Sequence, residues 1–291
     1  TLVVSPLIAL MKDQVDSLVT KGIPAARLDS TLSADETSKL YRRLEKNKIR
    51  LLYVAPERLA NENFRKRLAK TPLALLAIDE AHCISEWGHN FRPDYLKLTR
   101  FADELKIPRV LCLTATATPQ VANDICKHFQ IQPQDHHQLT FYRANLDLVI
   151  TPIATHDRPE YILKQIQKSP IQPTIIYTTL QHGAESLASF LKSKGLSVRP
   201  YHAGLRSEAR SEIQDAFMSG EVPIICATIA FGMGIDKSDI RAIYHYNLPK
   251  SLENYTQEIG RAGRDGKQAH CELLACEDDL RTLANFTYGD T

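Results

Sequence analysis

LALLAIDEAH, residues 73–82, is the stretch from which the rest of the chain is read. Six consecutive apolar residues after Thr71-Pro72 have the length and continuity of a strand buried on both faces, and polarity switches at once at Asp79-Glu80. Two adjacent carboxylates then stand at the carboxyl end of a parallel strand, the rim of an open α/β sheet where ligands bind. Asp79 is placed there to hold Mg2+ against a nucleotide phosphate, and Glu80 to orient an attacking water. The alternative is a solvated strand end running into a helix whose N-terminus favours acids, and a four-residue motif does not choose between the two.

Outward from this stretch, apolar runs alternate with amphipathic segments along the whole chain, the pattern of βαβ units and parallel sheets. Residues 1–5 read as a strand, with Ser5-Pro6 as an N-cap and first helical position opening a helix that stops near Lys21-Gly22. Ser33-Ala34-Asp35-Glu36 fits a capping box, and Lys39, Arg42, Arg43 and Lys46 behind it read as a solvated face. Strands are expected over 49–55 and 109–115, and Thr118-Pro119 caps a helix ending near Phe129. Residues 130–142 (QIQPQDHHQLTFY) break the periodicity as an interdomain linker does, so two domains are expected, 1–139 and 140–291. In the second, strands are expected near 146–153, 174–179, 197–201, 222–227, 240–246 and 269–275.

Composition sets bounds without naming a function. The 291 residues are 43% hydrophobic and 24% charged, enough for two cores, and no run of 18 apolar residues suggests a membrane span. A net charge of +2 is too mild to announce nucleic acid, so any such binding must come from local surfaces. The six cysteines are scattered with no CxxC pair, the pattern of reduced thiols in a cytosolic protein and not of a zinc quartet. The opening TLVVSP reads as mid-core strand without an initiator Met, so the first domain is expected to be truncated at its N-terminus.

Three further stretches carry chemistry. After the acids, CISEWGHNFRP (83–93) contains Gly88, Asn90 and Pro93, which oppose a long helix; Trp87, Phe91 and Arg92 can present stacking faces and a phosphate contact, or else form a core stripe. YHAG (201–204) and TIAFGMGID (228–236) place small residues, including Gly204, Thr228 and Gly234, where a backbone could approach phosphate; a tight turn and a turn with a buried Phe are the alternatives. YTQEIGRAGRDG (255–266) sets Arg261 and Arg264 three apart, on one side of a helical turn if the helix persists, able to stabilise a transferring phosphoryl group or simply forming a basic surface turn.

In this order, SPLIALMKDQ (5–14), APER (55–58), DEAHCISEWGHNFRP (79–93), LTATAT (113–118), YHAGL (201–205), ATIAFGMGIDK (227–237) and QEIGRAGRDG (257–266) resemble the core of the RecQ family, a branch of the superfamily-two DEAD/DEAH-like helicases. The resemblance implies two RecA-like lobes with ATP in the cleft between them and DNA, single-stranded and duplex, as partner. It assigns Mg2+ and water to Asp79 and Glu80, the coupling of nucleotide state to closure to His82 and Gln257, the arginine finger to Arg264 with Arg261 beside it, and a ribose contact to Asp236 near Gly234. Ser5, Thr228 and the turn at Gly204 would hold DNA phosphates, and Trp87, Phe91 and Arg92 would couple DNA to hydrolysis, with stepping 3′ to 5′. Glu86 and Asn90 depart from the usual Gln and Asp, no GxxxxGK[ST] loop occurs, and the zinc-binding and winged-helix domains that usually follow have no counterpart. The chain is therefore expected to be inactive alone and part of an ATP-driven DNA helicase. A DEAH-type RNA helicase and a nucleic-acid-binding module without turnover are the rival readings.

Overall fold

The computed structural model describes residues 1–86, 91–140, 142–168, 170–232 and 235–288. They form two compact units, Thr1–Leu139 and Thr140–Thr291, each an α/β layer built on a parallel sheet. In the first, β1 (Leu2–Val4), β2 (Ala25–Leu28), β3 (Leu51–Val54), β4 (Leu76–Ile78) and β5 (Val110–Cys112) lie in the order β2-β3-β1-β4-β5, all pairs parallel. Helices α1 (Ile8–Thr20), α2 (Ala34–Glu45), α3 (Glu62–Leu68), α4 (Pro93–Glu104) and α5 (Pro119–Phe129) connect them. All three residues of β4 are buried, as the unbroken apolar run requires of a strand covered on both faces.

Local signals placed two helix starts correctly. Ser33 accepts the Glu36 N–H while the Glu36 carboxylate accepts the Ser33 N–H at 2.9 Å, a full capping box, and Thr118 accepts the Val121 N–H with Pro119 in the first turn. The first helix is a correction. It starts at Ile8, behind Leu7, which makes no side-chain cap, because the Ser5 hydroxyl is turned to another acceptor.

β5 pairs only with β4 among the described residues and leaves Leu111 43% and Leu113 50% exposed. Leu76 donates to Arg109 O and Leu113 to Ile78 O, so the amides of Val110 and Cys112 point away from the sheet. An open apolar edge of this kind templates association. In the 291-residue chain, hydrogen exchange at 110 and 112 is expected to be much faster than at Leu76, and Leu113→Lys should raise soluble yield without loss of the folded fraction. Equal protection at 110, 112 and 76 would show that the edge is covered.

The second unit holds β6 (Leu146–Pro152), β7 (Thr174–Tyr177), β8 (Val198–Tyr201), β9 (Ile224–Ala227), β10 (Ala242–His245) and β11 (Ala269–Ala275) in the order β6-β11-β10-β7-β9-β8, again parallel throughout. Helices α6 (Arg158–Gln167), α7 (Gln181–Ser193), α8 (Ser207–Ser219), α9 (Leu252–Ile259) and α10 (Asp278–Tyr288) complete it. All six cysteines are free thiols, and among the described residues no helix is long and apolar enough to cross a membrane.

At the β6–β11 seam the buried Glu272 accepts hydrogen bonds from Thr151 (2.6 Å), Tyr161 (2.6 Å) and His270 (3.0 Å). Burial opposes its ionisation, but these bonds prevail and hold the carboxyl at about 2; His270, bonded to Glu272 and partly desolvated, is raised above 6.5. A lowered carboxyl pKa contributes stability above its unfolded value of 4.5 that is lost as pH falls toward 2, about 3 kcal/mol in full. A raised His pKa contributes below 6.5 and is lost as pH rises past its folded value. Urea midpoints of the chain should therefore fall on the acid side of 4.5, and Glu272→Gln should flatten that limb. An acid limb unchanged by Glu272→Gln would assign it to other carboxylates.

Candidate functional site

In the first unit the site is built by sheet order. β1 and β4 lie side by side with Val4 opposite Ile78, so the residues leaving them, Ser5 and Asp79, emerge together at the rim. Ser5 Oγ donates to Asp79 Oδ2 at 3.0 Å, the Glu80 N–H donates to Asp79 Oδ1 at 3.0 Å, and Tyr95 of α4 donates its hydroxyl to the Asp79 carbonyl at 2.9 Å. Ser5 is 1% exposed, with its hydroxyl turned to Asp79 and not to the surface. Its hydroxyl goes to the carboxylate because an ionised acceptor within reach makes the stronger bond. Tyr95 is wholly buried and its phenol pKa is raised by that burial, so it stays a donor.

Asp79 is thus held at both oxygens yet half-exposed, with lone pairs left over. That fits a hard divalent cation such as Mg2+, which takes one or two carboxylates and completes its shell with phosphate oxygens and water. Among the described residues no cluster of three or more His, Cys, Asp or Glu could hold a metal by itself, so such an ion would need oxygens from its ligand.

Glu80 adopts the left-handed conformation, φ 49° and ψ 45°, a cost of about 1–2 kcal/mol for a residue with a Cβ. The bend lets Ala81 N–H donate to Leu113 O at 2.9 Å and starts the short helical turn Ala81–Ile84, which buries His82. His82 Nδ1 lies 2.9 Å from Thr114 Oγ1 and 3.2 Å from Glu80 Oε2. With the Thr114 proton directed to Thr116 O at 3.1 Å, Nδ1 donates to Thr114, and the Glu80 carboxylate lies beside the same nitrogen. Thr114 has no role in the sequence reading. Its signal was present all the same: a hydroxyl at the carboxyl end of the strand next to the acids.

Of the loop after the acids, Trp87 lies outside the described residues. Phe91 is half-buried, and Arg92 is exposed at the start of α4, its N–H donating to Cys83 O at 2.9 Å. Burial raises the Cys83 thiol to about 12, so it is inert. Ser85 Oγ bonds Asp124 of α5 at 2.5 Å and ties the loop's first residues down.

The second unit has its own rim site. Beyond β9, Thr228 is buried with its N–H donated to Tyr201 O at 3.1 Å, and Phe231 packs edge-on against Tyr201 and Phe217. Gly232 has φ +127°, and a Cβ there would overlap Arg261, whose guanidinium donates to the Gly232 carbonyl. Gly234 lies outside the described residues.

The two arginines are not equivalent. α9 ends at Ile259, so 261–264 is a turn and the pair does not share a helical face, a correction to the helical spacing. Arg261 is 7% exposed and spent on backbone, whereas Arg264 is 37% exposed and pairs with Asp236 at 2.9 Å and Ile235 O at 3.2 Å. Arg143 donates to Gly260 O at 3.1 Å and to Gly263 O, and Asn145 to Gly263 O and Lys267 O, fixing the turn; neither residue stands out in the sequence. Gln257 is half-buried on α9. At Gly204 the space a Cβ would occupy is filled by the Gln181 amide, with His202 Nδ1 3.1 Å away, so the open phosphate approach expected there is taken by side chains.

Residues 1–125 match the DEAD/DEAH box helicase family and residues 157–266 the helicase conserved C-terminal domain. The chain is 42% identical over 281 residues to the ATP-dependent DNA helicase RecQ of Bacillus subtilis, covering 96% of this chain and 47% of that protein. It is 40% identical over 296 residues to the ATP-dependent DNA helicase Q5 of Rattus norvegicus, covering 96% and 30%. The chain belongs to the RecQ family of helicases.

This RecQ-family chain spans about half or less of the length of those relatives. Its fold is shared with Dbp5 of S. cerevisiae bound to RNA and ADP BeF3 (TM-score 0.71, 18% identity, 100% of this chain and 75% of that one). It is shared equally with the helicase Lhr of Mycobacterium smegmatis bound to ssDNA and AMP-PNP (TM-score 0.69, 20% identity, 99% and 42%). Asp79, Glu80, His82 and Thr114 fall within the first family match of this RecQ-family chain, and Asp236, Gln257, Arg261 and Arg264 within the second.

Proposed function

We propose that this RecQ-family chain is the motor portion of an ATP-dependent DNA helicase that steps 3′ to 5′ on single-stranded DNA and separates duplex. The observation that carries the reading is the rim constellation of the first unit: a carboxylate clamped by Ser5, and a second on a strained backbone beside His82. Bound Mg2+-ATP supplies the phosphoryl group and neutralises part of its charge. Asp79 would hold the metal, Glu80 orients the water and draws its proton, and His82, anchored on Thr114, stands beside the Glu80 carboxylate. Arg264 is the mobile cation, released from Asp236 toward developing phosphoryl charge, while Arg261 is structural. Trp87, Phe91 and Arg92 stack bases and meet phosphate.

In the full-length protein Arg264→Ala is expected to leave ATP affinity within about threefold and cut DNA-stimulated kcat about a thousandfold, as for a cation that acts on transition-state charge. Unwinding of matched DNA and RNA duplexes with 3′ or 5′ tails tests substrate and direction. An equal loss of binding and rate would make Arg264 a ground-state contact, and preference for RNA or a 5′ tail would overturn the DNA reading.

A further inference from the structure

We propose that His245 and Glu258 are positioning residues for hydrolysis: their buried pair sets the place of α9 and, through a closed ring of contacts, of the turn carrying Arg261 and Arg264. The inference rests on the reading of Arg264 given above. Glu258 lies on α9 one turn before Arg261 and is buried, facing His245 Nε2 at 2.7 Å; His245, the last residue of β10, is fully buried. The imidazole is held on two sides, stacked on Tyr177 (5.5 Å, 26°) and tilted against Tyr255 (5.0 Å, 55°). Tyr177 in turn donates its hydroxyl to Phe231 O at 3.2 Å, and the next carbonyl, Gly232 O, accepts from Arg261. The ring closes at Glu258, whose own carbonyl accepts the Arg261 N–H at 3.2 Å. Both segments bearing nucleotide-side candidates, 228–236 and 257–264, are therefore referenced to one imidazole.

The pair is a poor way to gain stability. His245 Nδ1 is buried without a partner, and apolar residues of similar volume replace a buried polar pair at little or no loss of stability. What such a pair adds is direction, because a 2.7 Å hydrogen bond sets rotation and height of α9 where apolar contact tolerates sliding.

The test uses the full-length protein. The double variant His245→Leu/Glu258→Leu is expected to keep its thermal midpoint and its KM for ATP within about threefold, and to lose DNA-stimulated kcat about a hundredfold, the scale of a misplacement near 1 Å. Glu258→Gln, which keeps the shape and a hydrogen bond, should retain most activity. Should the double variant fail to fold, Tyr177→Phe removes the hydroxyl's bond to Phe231 O and its contact with Arg261, both within the ring, and a fall in kcat of about tenfold at unchanged midpoint is expected. Wild-type kcat in the folded double variant, or in Tyr177→Phe, overturns the proposal. Arg264→Ala run alongside separates the two readings: if it is inactive while the double variant is normal, positioning alone is wrong, and if it hydrolyses normally, the arginine reading beneath both falls.

Discussion

Replacing Glu80 by Gln in the full-length protein is expected to lower DNA-stimulated ATP hydrolysis by about two to three orders of magnitude, with ATP and DNA binding retained. The amide preserves size and the left-handed backbone, but it cannot take a proton from water. The loss should therefore appear in kcat and not in KM. Ser5→Ala is the companion measurement: it frees one oxygen of Asp79 without removing charge and should cost about tenfold, most of it recovered at higher Mg2+. Turnover of Glu80→Gln within a few fold of wild type would remove Glu80 from the chemistry and leave its strained backbone unexplained.

The second large effect concerns stability. Arg158 at the start of α6 is almost wholly buried and makes a two-pronged pair with Asp279 of α10, at 3.1 and 2.7 Å. Asp279 also accepts from Asn247 Nδ2 and from the Leu248 N–H, both at 2.9 Å. Asp279→Ala strands a buried guanidinium and two further donors, and should cost about 3–5 kcal/mol. The paired apolar exchange Arg158→Met/Asp279→Leu should recover much of that loss, since no charge is then left uncompensated. Urea denaturation of both variants measures it. A loss below about 1 kcal/mol for Asp279→Ala would mean that water reaches Arg158 and the pair behaves as a surface bridge.

Much of the architecture is legible in the amino-acid sequence. The alternation of apolar runs and amphipathic segments specified parallel sheets, since the hydrophobic period is local and each strand buried on both faces must be apolar throughout. Capping at Ser33 and Thr118 was equally local, a side chain answering a backbone N–H three residues on. The acids after residue 78 could be assigned to a sheet rim because the polarity switch coincides with the end of a strand.

Strand order was not written in these periods, and the site depends on it. Ser5 and Asp79 meet across 74 positions only because β1 and β4 are neighbours, and the serine offered by its local sequence as a cap is taken by the carboxylate that this pairing brings up. His82 finds Thr114 across 32 positions for the same reason, β5 lying beside β4. Arg261 and Arg264 are identical in local sequence terms, three apart in a glycine-rich run; burial against Gly232 in one case and half-exposure beside Asp236 in the other came from how the turn folds onto the 228–236 segment. Periodicity, capping and polarity switches are nearest-neighbour properties that a linear sequence states directly. Which hydroxyl reaches which carboxylate, and which of two arginines stays available, are set by distances between segments far apart in the chain, and only the packed tertiary structure decides them.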